Sequence, residues 1–198
     1  MPSPAAPPPD PHPLLDAWLS DATASEPRVA DAMQIATVDA AGRPSLRTVL
    51  LKSSGPQGLV FYTNLGSRKA RQLEQNPHVA VLLHWKSLQR QVIAEGSVVP
   101  VDPGNADAYW SSRDRGSQLG SWASVQSEPI TPASALTERL AAVQARFGDA
   151  IVPRPPFWSG FRVQPTRIEF WQGRTDRLHD RWVYEQDGAG WHVTLRYP

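Results

Sequence analysis

Four short segments of the sequence carry side chains that could hold a phosphate. In the first, Arg47 and Lys52 bracket the run Thr-Val-Leu-Leu, which predicts a buried strand. Because an unpaired charge is costly to bury, the pair indicates either an anionic partner or strand ends that simply reach solvent, and these residues alone favour the second. The two positions face opposite sides of a regular strand, so they can share a ligand only across a twist, a bulge or a subunit boundary.

The second segment places Arg68 and Lys69 directly after Gly66-Ser67, where a helix is predicted to begin with Ser67 as its N-cap. Free backbone N–H groups and the positive end of the helix dipole attract an anion to such a position. Cations there are mildly unfavourable unless an anion is bound. The segment therefore indicates a phosphate site, although it does not match the P-loop pattern.

In the third segment Arg177, His179 and Arg181 alternate along the chain. On an extended backbone their side chains would project from one face and form a strongly electropositive strip. The alternative is a solvated, arginine-rich edge in which Asp176 and Asp180 pair with the guanidinium groups. The residues alone favour neither interpretation over the other.

The fourth segment, residues 109–122, contains Tyr109, Arg113 and Ser117. A phenol, a guanidinium and a hydroxyl can converge on one phosphate through neutral and charge-assisted hydrogen bonds. A polar helix end followed by a loop explains the same residues without a ligand.

The composition excludes several other kinds of chemistry. The chain has 198 residues, a formal net charge of +1 and no cysteine, so thiolate nucleophiles and iron–sulfur clusters are ruled out, and no global field would recruit nucleic acid or a membrane. The histidines show no HExxH pairing, and no metal site is predicted. The GxSxG and GxGxxG motifs are also missing. No stretch is apolar enough to span a bilayer, so a soluble, cytoplasmic protein is expected.

The elements that position these segments are mostly short strands joined by tight turns. Residues 1–13 are rich in proline and predict a disordered tail. We predict one α+β domain over residues 14–198, an antiparallel β-barrel with peripheral helices, because no regular helices separate the strands. Strands are predicted at 33–40, 45–52, 59–63, 79–85, 91–101, 160–163, 167–172, 181–186 and 191–196, and helices at 14–24, 67–75, 103–113 and 132–147.

Together these segments resemble the pyridoxamine 5′-phosphate oxidase family from about Asp10 to Pro198. The resemblance lies in stretches that follow the family's order: RTVLLK (47–52), VFYTNLGSRKA (60–70), RQV (90–92), SQLGSW (117–122), QS (126–127), PPFWSGFRV (155–163), IEFWQGR (168–174) and RLHDR (177–181). It implies a homodimeric, FMN-binding split β-barrel with a Greek-key-like antiparallel sheet and the flavin held between subunits.

The resemblance also implies roles for individual residues. Arg177 and His179 would lie over the substrate's pyridine ring as the catalytic pair. The substrate's 5′-phosphate would be held by Lys52, Tyr109, Arg113 and Ser117. FMN would be bound by Arg47, Thr48, Val49, Leu50, Leu51, Lys52, Tyr62, Thr63, Arg68, Lys69, Gln91, Gln126, Ser127, Trp171 and Arg181.

The reaction implied by the resemblance converts pyridoxine 5′-phosphate or pyridoxamine 5′-phosphate into pyridoxal 5′-phosphate. Hydride leaves the C4′ carbon for the flavin, the amine also releases ammonia, and oxygen reoxidises the flavin to give hydrogen peroxide. Two alternatives remain open: a related flavin oxidase of the phenazine-biosynthesis type, and a non-catalytic module that binds flavin or pyridoxal phosphate.

The sequence departs from the family at both ends. A proline-rich tail stands where the family often has a basic stretch and a tyrosine that can cover the substrate. The chain ends in LRYP where the family commonly ends in a motif like RLAP. Contacts made by a lid and by the last residues are therefore expected to differ.

Overall fold

Eight antiparallel strands form one sheet in the computed structural model, which describes residues 7–188 and 190–198. Residues 160–163 and 167–172, predicted as two strands, are parts of one long strand. The strands are β1 (Ala32–Val38), β2 (Pro44–Leu50), β3 (Leu59–Asn64), β4 (His78–Trp85), β5 (Arg90–Pro100), β6 (Trp158–Gln172), β7 (Asp180–Gln186) and β8 (Trp191–Leu195).

The sheet curls into a split barrel. Its strand order is β2-β1-β4-β5-β6-β7-β8, while β3 pairs with the first part of β6. A bridge between Ser53 and Val60 joins the segment after β2 to β3 and closes the barrel on that side. The pairing of β5 with β6 shifts between Glu95 and Gly96, and such an irregularity bends a strand. The prediction of an α+β split barrel is confirmed.

Period-two alternation places the apolar side chains inside the barrel. On β1, Met33 and Ile35 are fully buried, whereas their neighbours are half-buried. Trp85 at the end of β4 is also buried, and its indole Nε1 donates to the Ala30 carbonyl at 2.9 Å. This tryptophan belongs to the core of the barrel.

Five helices surround the barrel within the described residues. Ser67 caps α2 as predicted, since its side chain accepts from the amide of Ala70. None of the described helices is long and apolar enough to cross a bilayer. The helices are α1 (Pro11–Ser25), α2 (Arg68–Gln75), α3 (Pro103–Ser112), α4 (Arg115–Ala123) and α5 (Ala135–Phe147).

The N-terminal boundary and one helix differ from the predictions. Helix α1 begins at Pro11 because Asp10 caps it, accepting from the His12 amide at 3.0 Å, and proline fits the first helical position. Residues 11–13 therefore belong to a helix and not to the tail, while residues 1–6 lie outside the described part of the chain. Helix α4 is not among the predicted elements; Asp114 caps it by accepting from the Ser117 amide at 2.7 Å.

Two further differences concern segments predicted to do chemistry. Strand β2 is not buried within a single chain: it is an edge strand on which Leu46 is 67% and Leu50 47% exposed. The backbone from residue 175 to 177 forms a 3-10 turn in which Asp176 and Arg177 have φ of 57° and 60°. Because this segment is not extended, the prediction that the side chains of Arg177, His179 and Arg181 project from one face is wrong.

Candidate active site

A cavity of about 450 Å³ opens between the end of β2, strand β3 and helices α3 and α4, a volume within the range of small-molecule sites. Its lining includes all four residues predicted to bind the substrate's 5′-phosphate. It also includes seven further residues predicted to bind FMN, not counting Lys52, which was predicted for both roles. The predicted residues that line it are Thr48, Val49, Leu50, Lys52, Tyr62, Thr63, Lys69, Tyr109, Arg113, Ser117 and Gln126.

The corner between α3 and α4 presents the predicted phosphate ligands to this cavity. Arg113 caps the C-terminus of α3, and Ser117 lies in the first turn of α4. The Arg113 guanidinium donates to Ser121 Oγ at 2.9 Å and lies 4.8 Å from the ring centre of Trp158. Burial lowers the pKa of Arg113, but arginine remains a cation at any physiological pH. The aromatic surface and the hydroxyl thus hold a half-buried positive charge at the cavity wall.

Three aromatic rings stack along one side of the cavity. The ring centre of Tyr62 is 4.2 Å from that of Tyr109 and 5.3 Å from that of Trp158, while those of Tyr109 and Trp158 are 6.1 Å apart, and all three ring planes are within 17° of parallel. Desolvation, followed by the proximity of Tyr109, raises the pKa of Tyr62, so its phenol stays protonated. The stack offers a flat apolar surface beside the cationic corner, which suits an aromatic ring that carries a phosphate.

Lys52 reaches the cavity from the segment after β2. Its Nζ lies 2.8 Å from Asp31 Oδ2. Asp31 also accepts the amide of Leu51 with its backbone carbonyl at 2.8 Å, so the same residue fixes both the chain and the ammonium group.

Three cations form a second group, and Lys69 among them also lines the cavity: Arg47, Arg68 and Lys69. Lys69 is 8% exposed, and its ammonium group donates to Thr63 Oγ1 at 3.0 Å and to Gln126 Oε1 at 2.9 Å. Among the described residues no carboxylate forms an ion pair with any of the three cations.

The neighbours of these cations are neutral acceptors. Arg47 donates to Thr37 Oγ1 at 2.6 Å and to Ser45 Oγ at 2.8 Å. The backbone amide of Arg68 donates to Ser127 Oγ at 3.1 Å. Arg47 and Lys69, whose charged groups bond neutral acceptors, and Arg68 in the first turn of α2 together form a donor set that fits a phosphate dianion.

Of the remaining predicted FMN residues, Leu51 is buried in the hydrophobic core, and three others lie elsewhere on the sheet. Gln91 on β5 is paired with Trp171 on β6, and Trp171 is paired with Arg181 on β7. These three residues therefore stand side by side on adjacent strands, and none of them lines the cavity.

The predicted catalytic pair lies with this second set. The ring of His179 is 4.7 Å from that of Trp171, and its Nδ1 accepts the amide of Arg174 at 3.0 Å. Neither Arg177 nor His179 lines the cavity, and His179 instead borders a separate hollow of about 400 Å³ beside the C-terminal residues. A single chain thus presents the predicted site as two separate groups of residues.

Five residues of the cavity were missed in the sequence: Asn64, Gly120, Ser121, Ser124 and Trp158. A signal for three of them was present. Ser117, Gly120, Ser121 and Ser124 follow helical spacing, which places small and hydroxyl side chains on one face of α4. Because no helix was predicted over residues 115–123, the sequence analysis does not include this face in the site.

Comparison with known proteins decides the family. Residues 19–147 match the family model described as pyridoxamine 5′-phosphate oxidase, and residues 158–198 match the pyridoxine 5′-phosphate oxidase C-terminal dimerisation region. The chain belongs to the pyridoxamine 5′-phosphate oxidase family. The resemblance inferred from the sequence is therefore confirmed.

Similar proteins support this membership over nearly the full length. A pyridoxine/pyridoxamine 5′-phosphate oxidase from Sphingopyxis alaskensis is 56% identical over 96% of this chain and 88% of its own length. One from Gluconobacter oxydans is 56% identical over 96% of this chain and 94% of its own.

Among solved structures, PhzG from Burkholderia lata 383 in complex with tetrahydrophenazine-1-carboxylic acid superimposes with a TM-score of 0.91. It is 35% identical, with 97% of this chain and 94% of that chain covered. A pyridoxamine 5′-phosphate oxidase-related, FMN-binding protein from Nostoc punctiforme has a TM-score of 0.77 at 19% identity and shares the fold. FMN is the cofactor of this oxidase family.

Proposed function

We propose that this chain is a pyridoxal 5′-phosphate synthase, oxidising pyridoxine 5′-phosphate and pyridoxamine 5′-phosphate with FMN as cofactor and oxygen as acceptor. The observation that carries the proposal is the cavity at the corner between α3 and α4. There Lys52, Tyr109, Arg113 and Ser117 face one space next to a stacked aromatic surface. Family membership and relatives 56% identical support the same function.

In this proposal the working enzyme is a homodimer with each site built from both chains. The cavity belongs to one chain, and the group around Trp171, His179 and Arg181 comes from its partner. The exposed edge strand β2 and the match of residues 158–198 to a dimerisation region support this arrangement. A two-fold axis would then complete two equivalent sites at once.

The FMN phosphate would bind to Arg47, Arg68, Lys69 and Ser127. These residues supply charge-assisted and neutral donors, and the uncompensated cations fit a dianion. Gln126, Thr63 and the strand from Thr48 to Leu51 would hold the rest of the cofactor from the same chain. When bound, FMN supplies the two-electron oxidation at the substrate's C4′ carbon and the reaction with oxygen.

Lys69 is expected to make FMN binding depend on pH. Burial and then the charge of Arg47 lower its pKa to about 8. Since a phosphate dianion favours the protonated ammonium, FMN affinity should hold steady from about pH 7 to about pH 8 and fall by up to about tenfold per pH unit above it. The pH dependence of the ligand-free protein's stability has the opposite sign. Between about pH 8 and about pH 10.4 the unfolded chain binds more protons at this residue than the folded chain does, so the free energy of unfolding rises with pH.

Titrating the ligand-free protein with FMN at pH 7 and pH 9, followed by flavin fluorescence, measures this effect. The variant Lys69→Met is the control, because it lacks the titrating group while keeping a side chain of similar length. A decrease in affinity of the same size in both proteins would show that another group causes it.

The chain's own residues then position the substrate. Arg113 and Lys52 would hold the 5′-phosphate, with Tyr109 and Ser117 adding hydroxyl donors. The aromatic stack beside them excludes water from one side of the site. Arg177 and His179 of the partner subunit would lie over the pyridine ring, orient it and stabilise developing charge.

Oxygen-dependent formation of pyridoxal 5′-phosphate by the purified protein tests the function. With FMN bound, each phosphorylated precursor is expected to give the aldehyde and one equivalent of hydrogen peroxide. Ammonia should appear only with the amine. Bound FMN without turnover of either precursor would contradict the proposal.

A related oxidase of the phenazine type is the second candidate, because the PhzG structure superimposes so closely. That protein's ligand carries a carboxylate and no phosphate. Assaying tetrahydrophenazine-1-carboxylic acid beside pyridoxine 5′-phosphate separates the two. We expect turnover of the phosphorylated substrate alone, since the donors of Lys52, Tyr109, Arg113 and Ser117 match a phosphate, which offers three acceptor oxygens where a carboxylate offers two.

A further inference from the structure

Glu169 on β6 carries a deeply buried carboxylate to which none of the interpretations above gives a role. It is 5% exposed. It accepts from Arg181 Nε at 2.7 Å, from Arg181 Nη2 at 3.0 Å and from Arg167 Nη2 at 2.8 Å. These bonds, with that from Arg181 the strongest, hold the pKa of Glu169 below its usual range. A buried carboxylate is costly unless it is paired as fully as this.

The hydrogen bonds of the Arg181 side chain indicate the role of Glu169. In the sheet Arg181 on β7 lies opposite Trp171 on β6. The Arg181 side chain reaches along β6 to Glu169, which is two residues before Trp171. Its Nη1 donates to the backbone carbonyl of Tyr197 at 2.9 Å. A guanidinium has five N–H donors in one rigid plane. Three of them are engaged here, which leaves two N–H groups in a fixed direction.

We propose that Glu169 is a positioning residue for FMN, holding Arg181 in a fixed orientation with two N–H groups available to the cofactor. The inference rests on the proposed function, which assigns Arg181 to FMN across the dimer. Such orienting partners matter because a planar donor group must be aligned before the ligand arrives. The carbonyl of Tyr197, within the chain's unusual LRYP ending, provides the second fixed point.

Arg167 gives Glu169 a second partner that does not belong to the proposed site. If Glu169 only joined β6 to β7, its loss would lower stability without acting specifically on the flavin. If it positions Arg181, its effect on FMN binding must pass through Arg181. A double-mutant cycle separates these two roles.

The experiment measures FMN dissociation constants by flavin fluorescence for four dimeric proteins: wild type, Glu169→Gln, Arg181→Ala and the double variant. We expect Glu169→Gln to weaken FMN binding about tenfold, as loss of an orienting partner does at other ligand sites. In the Arg181→Ala background the same change is expected to have no further effect. Equal losses in both backgrounds would overturn the inference, and so would unchanged affinity in the single variant.

The variant Glu95→Gln is the matched control. Glu95 also pairs with Arg167, at 3.1 Å, but it is exposed and makes no contact with Arg181. Its change to glutamine is expected to leave FMN affinity unaltered. The thermal midpoint of each ligand-free protein shows whether the fold is intact.

If Glu169→Gln does not fold, Glu169→Asp carries the same cycle. It keeps the charge and moves it by one methylene group, so a loss of FMN affinity that depends on Arg181 is again expected. A wild-type protein that binds no FMN would overturn the proposed function and this inference with it. Tight binding by the wild type with an unchanged Glu169 variant overturns the inference alone.

Discussion

Replacing Arg177 by alanine is expected to lower turnover about a hundredfold while the dimer keeps its full complement of FMN. The guanidinium of Arg177 has no hydrogen bond or ion pair within the described residues, so the fold does not depend on it. Its backbone is nevertheless held in the left-handed conformation, at φ of 60°. Such a conformation is unusual for arginine and is frequent at functional sites. A positioned cation near developing charge accounts for a loss of this size.

Steady-state kinetics with pyridoxine 5′-phosphate and the flavin absorbance of the purified variant measure both parts of this prediction. Arg43→Ala is a suitable control, because Arg43 forms an exposed ion pair with Asp39 away from the site. Unchanged kinetics in Arg177→Ala would remove this residue from the catalytic group. Loss of FMN together with turnover would assign it to cofactor binding instead.

Replacing Arg113 by alanine is expected to lower kcat/KM for pyridoxine 5′-phosphate about a hundredfold, mainly through KM. Arg113 is half-buried at the cavity wall and is oriented by Ser121 and by the face of Trp158. A charge-assisted bond to phosphate in such a setting contributes several-fold more than an exposed one. Because the residue binds a part of the substrate distant from the reacting carbon, binding is expected to suffer more than the chemical step.

The unphosphorylated substrate pyridoxine gives this prediction its sharpest test. If Arg113 binds the phosphate, the variant and the wild type should process pyridoxine equally slowly. Arg115→Ala is the matched control, since Arg115 bonds to the carbonyl of Ala150 and does not line the cavity. A hundredfold loss with pyridoxine as well would show that Arg113 acts on something other than the phosphate.

Local patterns made most of the architecture predictable. The apolar and β-branched residues from Met33 to Ala40 identified β1, and Ser67 identified the start of α2. The residue types at Arg68 and Lys69 indicated an anion site, and the structure brings these cations close to Arg47, with no carboxylate paired to them in the part of the chain that it describes. These features depend on short-range periodicity and on charge, which a sequence displays directly.

Other features depend on long-range contacts that periodicity does not display. The alternation of Arg177, His179 and Arg181 suggested one face, but the turn at Asp176 and Arg177 breaks the extended backbone. Arg181 is directed instead by the buried Glu169, twelve positions earlier in the chain and adjacent only through β6 and β7.

Strand β2 shows the same limit in another way. Its apolar residues predicted burial, yet Leu46 and Leu50 are exposed in the single chain. If the proposed dimer is correct, those residues meet a second copy, which one chain's pattern cannot distinguish from a core. The opposite orientations expected for Arg47 and Lys52 fit this arrangement. Arg47 belongs to the proposed FMN phosphate site, whereas Lys52 lines the cavity that would hold the substrate's phosphate.

The central claim is that each active site combines the cavity of one chain with the Arg177 group of its partner, and subunit complementation tests it most directly. At a pyridoxine 5′-phosphate concentration far below the KM of the Arg113→Ala variant, homodimers of Arg113→Ala and of Arg177→Ala are each expected to be nearly inactive. A heterodimer that carries one variant in each chain, isolated through two different affinity tags, would contain one site with both changes and one intact site. We expect about half of the wild-type activity per dimer. If all site residues came from the same chain, both sites of the heterodimer would be damaged, and an inactive heterodimer would contradict the account.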